Sequence, residues 1–290
     1  MTKHLTIKTL NSISLNKLLA WHNPFIEREC KYDLSEVRLI TPGALVPMTA
    51  SCHALARDGR SPVIIVRDQG VRTYLLRSGF ANAVKDIATF EPKYPRITAN
   101  SLDALRGSNP MLLEVTRIEN NSALPELLSQ IVWVLRNRMR YRRNDAFDIA
   151  TAISEICQNT FDHNQQVCGF IAMQCYGKGT TRFVEIAISD YGDGLAATLK
   201  RNAKNPVINS DLDAITTAIR LGTSQYDDPT RGTGLHHLLE TAHKHKGSLQ
   251  IRSGTATMRL RMDKRTRMNF IASMMPGVQI CLTLDSKLGT

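Results

Sequence analysis

Residues 182–190 (RFVEIAISD) carry the pattern that most restricts the fold. Val184, Ile186 and Ile188 alternate along one side, and the run stops at Asp190-Tyr191-Gly192-Asp193-Gly194. A period of two is that of a strand with a buried face. The glycines after it permit a turn that most side chains would obstruct. A single strand cannot bury its own apolar face, so the flanking chain must supply a sheet and a covering layer. Gly169–Tyr176 reads as a neighbouring strand, joined through a Gly-Lys-Gly turn. Leu112–Arg117 reads as another, and Ser248–Arg252, Thr257–Met262 and Val278–Leu284 as three more. Helical periodicity covers about residues 123–140, 145–163, 211–221 and 234–245. Helices grouped with a mixed sheet predict a two-layer α/β sandwich of the α+β kind.

The N-terminal half alternates more finely. Residues 11–22 have a helical pattern, and Val37–Ile40 is a short apolar strand before the breaker pair Pro42-Gly43. Residues 44–57 read as a helix, with Pro47 near its first turn, where proline is tolerated. Pro62–Arg67 is a strand by its β-branched run, and a short helix at 70–78 ends at Ser78-Gly79. This is a smaller α/β unit. The Pro-, Ser- and Asn-rich segment 92–110 places a boundary near residue 110, giving units 1–110 and 111–290. Two units also fit a chain of 290 residues, since domains typically hold about 100–200.

Composition removes some classes. Hydrophobic residues at 42% and charged residues at 22% are ordinary for a globular chain. No apolar run approaches the roughly 20 residues that span a bilayer. The first residues (MTKHLTIKTLNSIS) lack the apolar core of a secretory signal, so the expected location is the cytoplasm. The six cysteines form no CxxC pair and mostly fall in apolar periodic segments, which predicts buried free thiols. The formal charge of +11 permits contact with nucleic acid, an acidic protein or an anionic surface. Much of it comes from two clusters. One is Arg136, Arg138, Arg140, Arg142 and Arg143; the other is Arg259, Arg261, Lys264, Arg265 and Arg267. Aromatic residues interleave poorly with either, which argues against a platform for stacking single strands.

Three motifs carry chemistry. On the helix at 145–163, Ala146, Ile149, Ala150, Ile153, Ile156, Cys157 and Thr160 form one buried stripe. Glu155, Asn159 and His163 follow at i, i+4 and i+8 and line a second stripe beside it. A carboxylate there can act as a general base. A carboxamide oxygen suits a hard cation such as Mg²⁺. The second motif is Asp190 at the strand end, able to accept from an exocyclic amine such as that of adenine, with Gly192 and Gly194 leaving room for a flat base. The third is Arg231-Gly232-Thr233-Gly234-Leu235 at the start of the helix 234–245. Glycines there expose backbone N–H groups at a helix N-terminus, which favours an anion such as a triphosphate. Thr233 and Arg231 can add donors.

ExxxN on a helix, DxGxG after a strand and GxGL before a helix, in that order, resemble the GHKL superfamily of gyrase-type ATPases, histidine kinases and MutL-like proteins. The resemblance spans about residues 112–285 and implies a Bergerat-type sandwich that binds ATP with Mg²⁺. It makes Glu155 the candidate base, Asn159 the Mg²⁺ ligand and Asp190 the acceptor for the adenine amine, with Gly192 and Gly194 beside it. Gly232 and Gly234 hold the phosphates, and segment 222–231 is the lid. The preamble of helices and strands looks most like the anti-sigma-factor serine kinases. No histidine falls on the helix 123–140, so a histidine-kinase acceptor is absent there. His163 is expected to support the pocket, and His236, His237, His243 and His245 to be surface or packing residues.

Residues 33–82 are similar to STAS domains of the anti-anti-sigma type, through their strand, small-residue turn, helix, second strand and the RSGF helix end. Thr41 occupies the position of the phosphoacceptor in such domains, but the acidic neighbour is missing. The two resemblances together imply an ATP-dependent, partner-switching regulator with a sigma- or anti-sigma-type protein partner, with a homodimer and serine/threonine kinase activity as options. The basic clusters support an alternative, a slow ATPase acting on nucleic acid. A chain that uses ATP only structurally is a third reading.

Overall fold

The structure is a computed structural model and describes residues 6–94, 112–162, 168–177, 182–220 and 233–286. The expected boundary near residue 110 lies outside the described residues. The N-terminal part runs β1 (Thr9–Leu10), α1 (Ser14–Trp21), β2 (Lys31–Asp33), β3 (Leu39–Ile40), α2 (Pro42–Arg57), β4 (Val63–Ile65), α3 (Gln69–Arg77), α4 (Phe80–Ala83) and β5 (Thr89–Glu91). Strands β2, β4 and β5 form a parallel sheet in that order, and β1 pairs with β3 in parallel. Helix α2 begins at Pro42, whose fixed φ suits a first helical position. Pro47 therefore lies inside the helix and not in its first turn.

The C-terminal part follows as β6 (Leu112–Ile118), α5 (Leu124–Asn137), α6 (Arg143–Asp162), β7 (Gly169–Tyr176), β8 (Phe183–Asp190), α7 (Gly194–Lys200), α8 (Asp211–Ala218), α9 (Gly234–Lys244), β9 (Ser248–Arg261) and β10 (Thr266–Asp285). The sheet order is β6-β7-β8-β10-β9, and every neighbouring pair is antiparallel. The expected mixed sheet is thus corrected. Two helices, α5 and α6, separate β6 from β7, so the chain crosses the layer twice and re-enters the sheet reversed; the later neighbours are antiparallel as well.

The last strands also differ from expectation. Val278–Thr283 of β10 pairs with Ser248–Ser253 of β9, while Thr266–Ile271 pairs with Ala256–Arg261. Met262 N donates to Gly247 O at 2.9 Å, so β9 doubles back on itself. The reversal falls at Gly254, whose φ of +57° favours glycine, and Asp211 Oδ2 accepts from Thr255 N at 2.7 Å beside it. Residues 266–271 are a strand that the sequence does not predict, because their exposure on both sides leaves no alternation to read.

Strands β7 and β8 are buried along almost their whole length. Such burial requires cover on both sheet faces. On one face Ile171, Met173, Cys175, Val184, Ile186 and Ile188 join a core with α5, α6 and α9. On the other, Phe170, Ala172, Ala187 and Tyr191 meet Val46, Ala50 and Ala54 of α2. Those three α2 residues recur every four positions, and their small size lets helix and sheet approach closely. Leu45, Met48, Cys52 and Leu55, on another side of α2, complete the N-terminal core with Tyr32, Ile64, Leu75 and Phe80. The C-terminal helices and sheet make two layers, as expected, and α2 adds a third from the N-terminal half.

A buried carboxylate fixes this third layer. Glu185 on β8 accepts from Thr41 Oγ1 at 2.6 Å and from Gly43 N at 2.7 Å, satisfying the start of α2. Thr41 is 7% exposed, so in this arrangement its hydroxyl is engaged and not offered to a kinase. Glu185→Ala is expected to lower stability by about 2 kcal/mol, because it strands two buried donors. Burial also raises the Glu185 pKa above 4.5, so the folded chain holds that proton more tightly than the unfolded chain. The stability tied to this group is full below the ordinary Glu range and falls as pH rises through the raised value. Glu185→Gln keeps an acceptor for the two donors and should remove that fall. Urea unfolding of both variants across a pH series checks each expectation.

The cysteine expectation holds at Cys52, Cys157, Cys168, Cys175 and Cys281, which are buried and free; Cys30 is half-buried and free. No helix among the described residues is long and apolar enough to cross a membrane.

Candidate functional site

Helix α6 buries Ala146, Ile149, Ala150, Ile153, Ile156 and Cys157 against the sheet. This stripe turns Glu155 and Asn159 to the border of the layer, where both are half-buried. Helix α9 meets them there. A Cβ on Gly234 would lie 3.1 Å from Asn159 Nδ2, 3.2 Å from Glu155 Cβ and 3.4 Å from Ile156 Cδ1. A Cβ at this position would sit tight against α6, so glycine lets the two helices meet closely. Leu235 is buried and anchors the first turn of α9 in the core. Thr233 Oγ1 donates to Glu155 Oε2 at 3.3 Å, and His237 Nδ1 lies 3.2 Å from Glu155 Oε1.

His237 is therefore part of the cluster, which corrects its reading as a surface or packing residue. Its place three residues after Gly234 was visible in the sequence, but the Glu155 contact depends on how α6 and α9 pack. His236 bonds to Ile219 O at 3.1 Å and His245 is buried, in keeping with packing roles.

Asp190 belongs to the same end of the molecule. It continues the Val184, Ile186, Ile188 side of β8, which faces the helix layer. It pairs across the sheet with Gly169, and a Cβ on Gly169 would come within 2.4 Å of Thr160 Oγ1. The C-terminal end of α6, bearing Asn159 and Thr160, thus lies over the end of β8. Gly192 N donates to Asp190 Oδ1 at 2.8 Å, which closes the turn after the strand. Asp190 keeps a solvent-facing edge, yet its carboxyl group is set so deep among protein atoms that loss of hydration pushes its pKa up to about 6. The backbone N–H groups of Gly192 and Val278 act in the opposite direction. Gly277, with φ +76°, passes so close that a Cβ there would lie 2.7 Å from Asp190 Oδ1 and closer still to its backbone carbonyl.

The two glycines of this turn differ. Gly192 is half-buried beside Asp190. Gly194, with φ +78°, opens α7, and the space a Cβ would need is taken by Ser253 Oγ at 2.8 Å. Its small size therefore serves packing against β9. Behind the turn, Tyr191 points to the opposite face. Its ring stacks near His53 of α2 at 5.9 Å, and the Arg57 guanidinium lies 5.6 Å above it. Helix α2 consequently contacts β8 at Glu185 and again at the turn that carries Asp190.

Arg231, Gly232, His163 and the expected lid at 222–231 lie outside the described residues. Glu155, Asn159, Thr233, Gly234 and Leu235 come together in one cluster, and Asp190 with Gly192 lies at the same end of the sandwich. No protein-family model matches the chain, and no curated protein matches it.

Proposed function

We propose that this chain binds ATP with Mg²⁺ at the end of its C-terminal sandwich and works as a nucleotide-dependent switch toward a protein partner, with transfer or hydrolysis of the γ-phosphate as its chemical step. The observation that carries the reading is the contact of Glu155 and Asn159 with the N-terminus of α9, at Gly234. That contact joins a base, an oxygen ligand and an anion-favouring helix end drawn from segments far apart in sequence. The residues present fit such a ligand. Asn159, half-buried beside the N-terminus of α9, offers a carboxamide oxygen suited to a hard cation. Asp190 presents a carboxylate beside the compact turn at Gly192.

In this reading Asp190 accepts from the adenine amine and fixes the base. Thr233 and the first N–H groups of α9 face the phosphates. Bound Mg²⁺ would neutralise phosphate charge, with Asn159 as its protein ligand. Glu155 takes a proton from the attacking water or hydroxyl, while His237 and Thr233 hold its two oxygens in place. The partner-switching part rests on α2, which links the Asp190 turn to the N-terminal half through Tyr191 and Arg57. The alternative of an ATPase acting on nucleic acid draws on the first Arg cluster. Arg138 lies 5.3 Å over the half-exposed Trp133, and Arg143 5.7 Å over the half-exposed Phe147, an aromatic pairing the sequence did not reveal.

Incubating the purified protein with Mg·ATP labelled on the γ-phosphate, with and without a single-stranded oligonucleotide, separates these readings. Label released as free phosphate or appearing on protein supports the chemical step. Release stimulated by the oligonucleotide, with steep salt dependence, favours the alternative. ATP that stays intact while bound leaves a binding switch without turnover.

A further inference from the structure

We propose that the strand edge Thr266–Ile271 is a docking site for an extended, acidic segment of another protein, which adds to the sheet as one more strand. This inference stands apart from the nucleotide reading. Thr266–Ile271 pairs with Ala256–Arg261 on one side, and no other strand among the described residues pairs with it. Its second side presents backbone N–H and C=O groups that no other described strand pairs with, a template for a further strand, although Ile271 O accepts a 3.5 Å bond from Asn16 Nδ2. Residues 263–271 are exposed without interruption.

The side chains on this edge are not those of a solvated loop. Ile271 is 92% exposed, Phe270 44% and Met268 38%. The register sets Met268 opposite Arg259 and Phe270 opposite Thr257 on one face, and Ile271 opposite Ala256 on the other. An added strand would cover apolar groups on both faces. The edge is also held in position: Arg267 donates to Thr216 Oγ1 of α8 at 2.9 Å, and Asn16 Oδ1 of α1 accepts from Ser273 N at 3.0 Å.

Charge selects the occupant. Between residues 256 and 272 lie Arg259, Arg261, Lys264, Arg265 and Arg267, against the single acid Asp263. A second copy of the chain would set like charges across the new ladder, which is how basic edges resist self-pairing. An acidic strand meets attraction instead, and the same charges reject neutral and basic competitors. Nucleic acid suits the surface less well. Phe270 is the sole aromatic between residues 256 and 275, and phosphates would leave Ile271 and the free backbone groups uncovered.

The test uses the whole chain and a fluorescently labelled short peptide alternating Glu and Val, compared with a Lys and Val peptide and a single-stranded oligonucleotide. The Glu and Val peptide should bind with a Kd of about micromolar order, weaken as salt rises, and slow amide hydrogen exchange within 266–271. The variants Ile271→Glu and Lys264→Glu, both at exposed positions, should each weaken binding by about fivefold or more while unfolding at the wild-type temperature. The proposal is overturned by no binding of the Glu and Val peptide, by equal binding of the Lys and Val peptide, or by tighter binding of the oligonucleotide. Unchanged affinity in both variants, or unchanged exchange within 266–271, overturns it as well.

Discussion

Asp190→Asn should weaken Mg·ATP binding by about 10- to 100-fold while leaving the fold intact. The carboxylate has two acceptor oxygens with several lone pairs; Oδ1 accepts from Gly192 N at 2.8 Å, and the Val278 N–H also bonds to the carboxylate. A carboxamide can keep the Gly192 bond with its own oxygen. Its other atom then becomes an N–H₂ group, set against the donor of an exocyclic amine. An attractive contact becomes two opposed donors in a desolvated crevice. Losing a hydrogen bond to a charged group costs about 1.5–3 kcal/mol, and each 1.4 kcal/mol is tenfold in affinity. Isothermal titration at neutral pH reads the loss, and a thermal melt verifies folding. The wild type should show a related pH dependence. With the carboxyl pKa pushed up to about 6, Asp190 is charged at pH 7 and protonated at pH 5. ATP affinity should therefore fall as pH drops through about 6, and this fall should vanish in Asp190→Asn.

Glu155→Ala should separate binding from turnover. A positioned general base contributes about 10²–10⁴-fold to a rate, so release or transfer of the γ-phosphate should drop by at least about 100-fold. Nucleotide affinity should stay near wild type, because the contacts assigned to binding come from Asp190, Asn159 and the start of α9. The substitution also frees Thr233 and His237, which Glu155 now holds. If affinity falls together with rate, Glu155 acts by holding α9 against α6, and the base lies elsewhere. Single-turnover measurements at saturating ATP distinguish the two outcomes, since they report the chemical step without the binding equilibrium.

Long amphipathic segments were the most legible part of the chain. The helix expected at 145–163 is Arg143–Asp162, and the strand read at 169–176 has those same limits. In the helix, burial on a regular period leaves a mark in the sequence; in the strand, buried on both faces, the mark is a short apolar run bounded by glycines. Strands β2 and β5, three residues each, are too short to show a period and were missed. Helix α7 was hidden by the glycines that precede it. The sequence showed α2 as a helix but not as a shared wall, because Val46, Ala50 and Ala54 are compatible with any buried face. Glu185 carried no signal of its role. A charged residue in an apolar strand looks like a solvent-facing position until a helix N-terminus is found against it. That Glu155, Asn159 and Gly234 share one site was implied by the resemblance the motifs carry, whereas the place of His237 depended on the crossing of two helices.

Equilibrium titration of the full chain with ATP, in the presence and absence of Mg²⁺, tests the central claim most directly. The expected result is saturable binding of one nucleotide per chain, strengthened by Mg²⁺ and weakened in Asp190→Asn. Absence of binding at millimolar ATP in the folded protein, or equal affinity in the wild type and Asp190→Asn, would contradict the account.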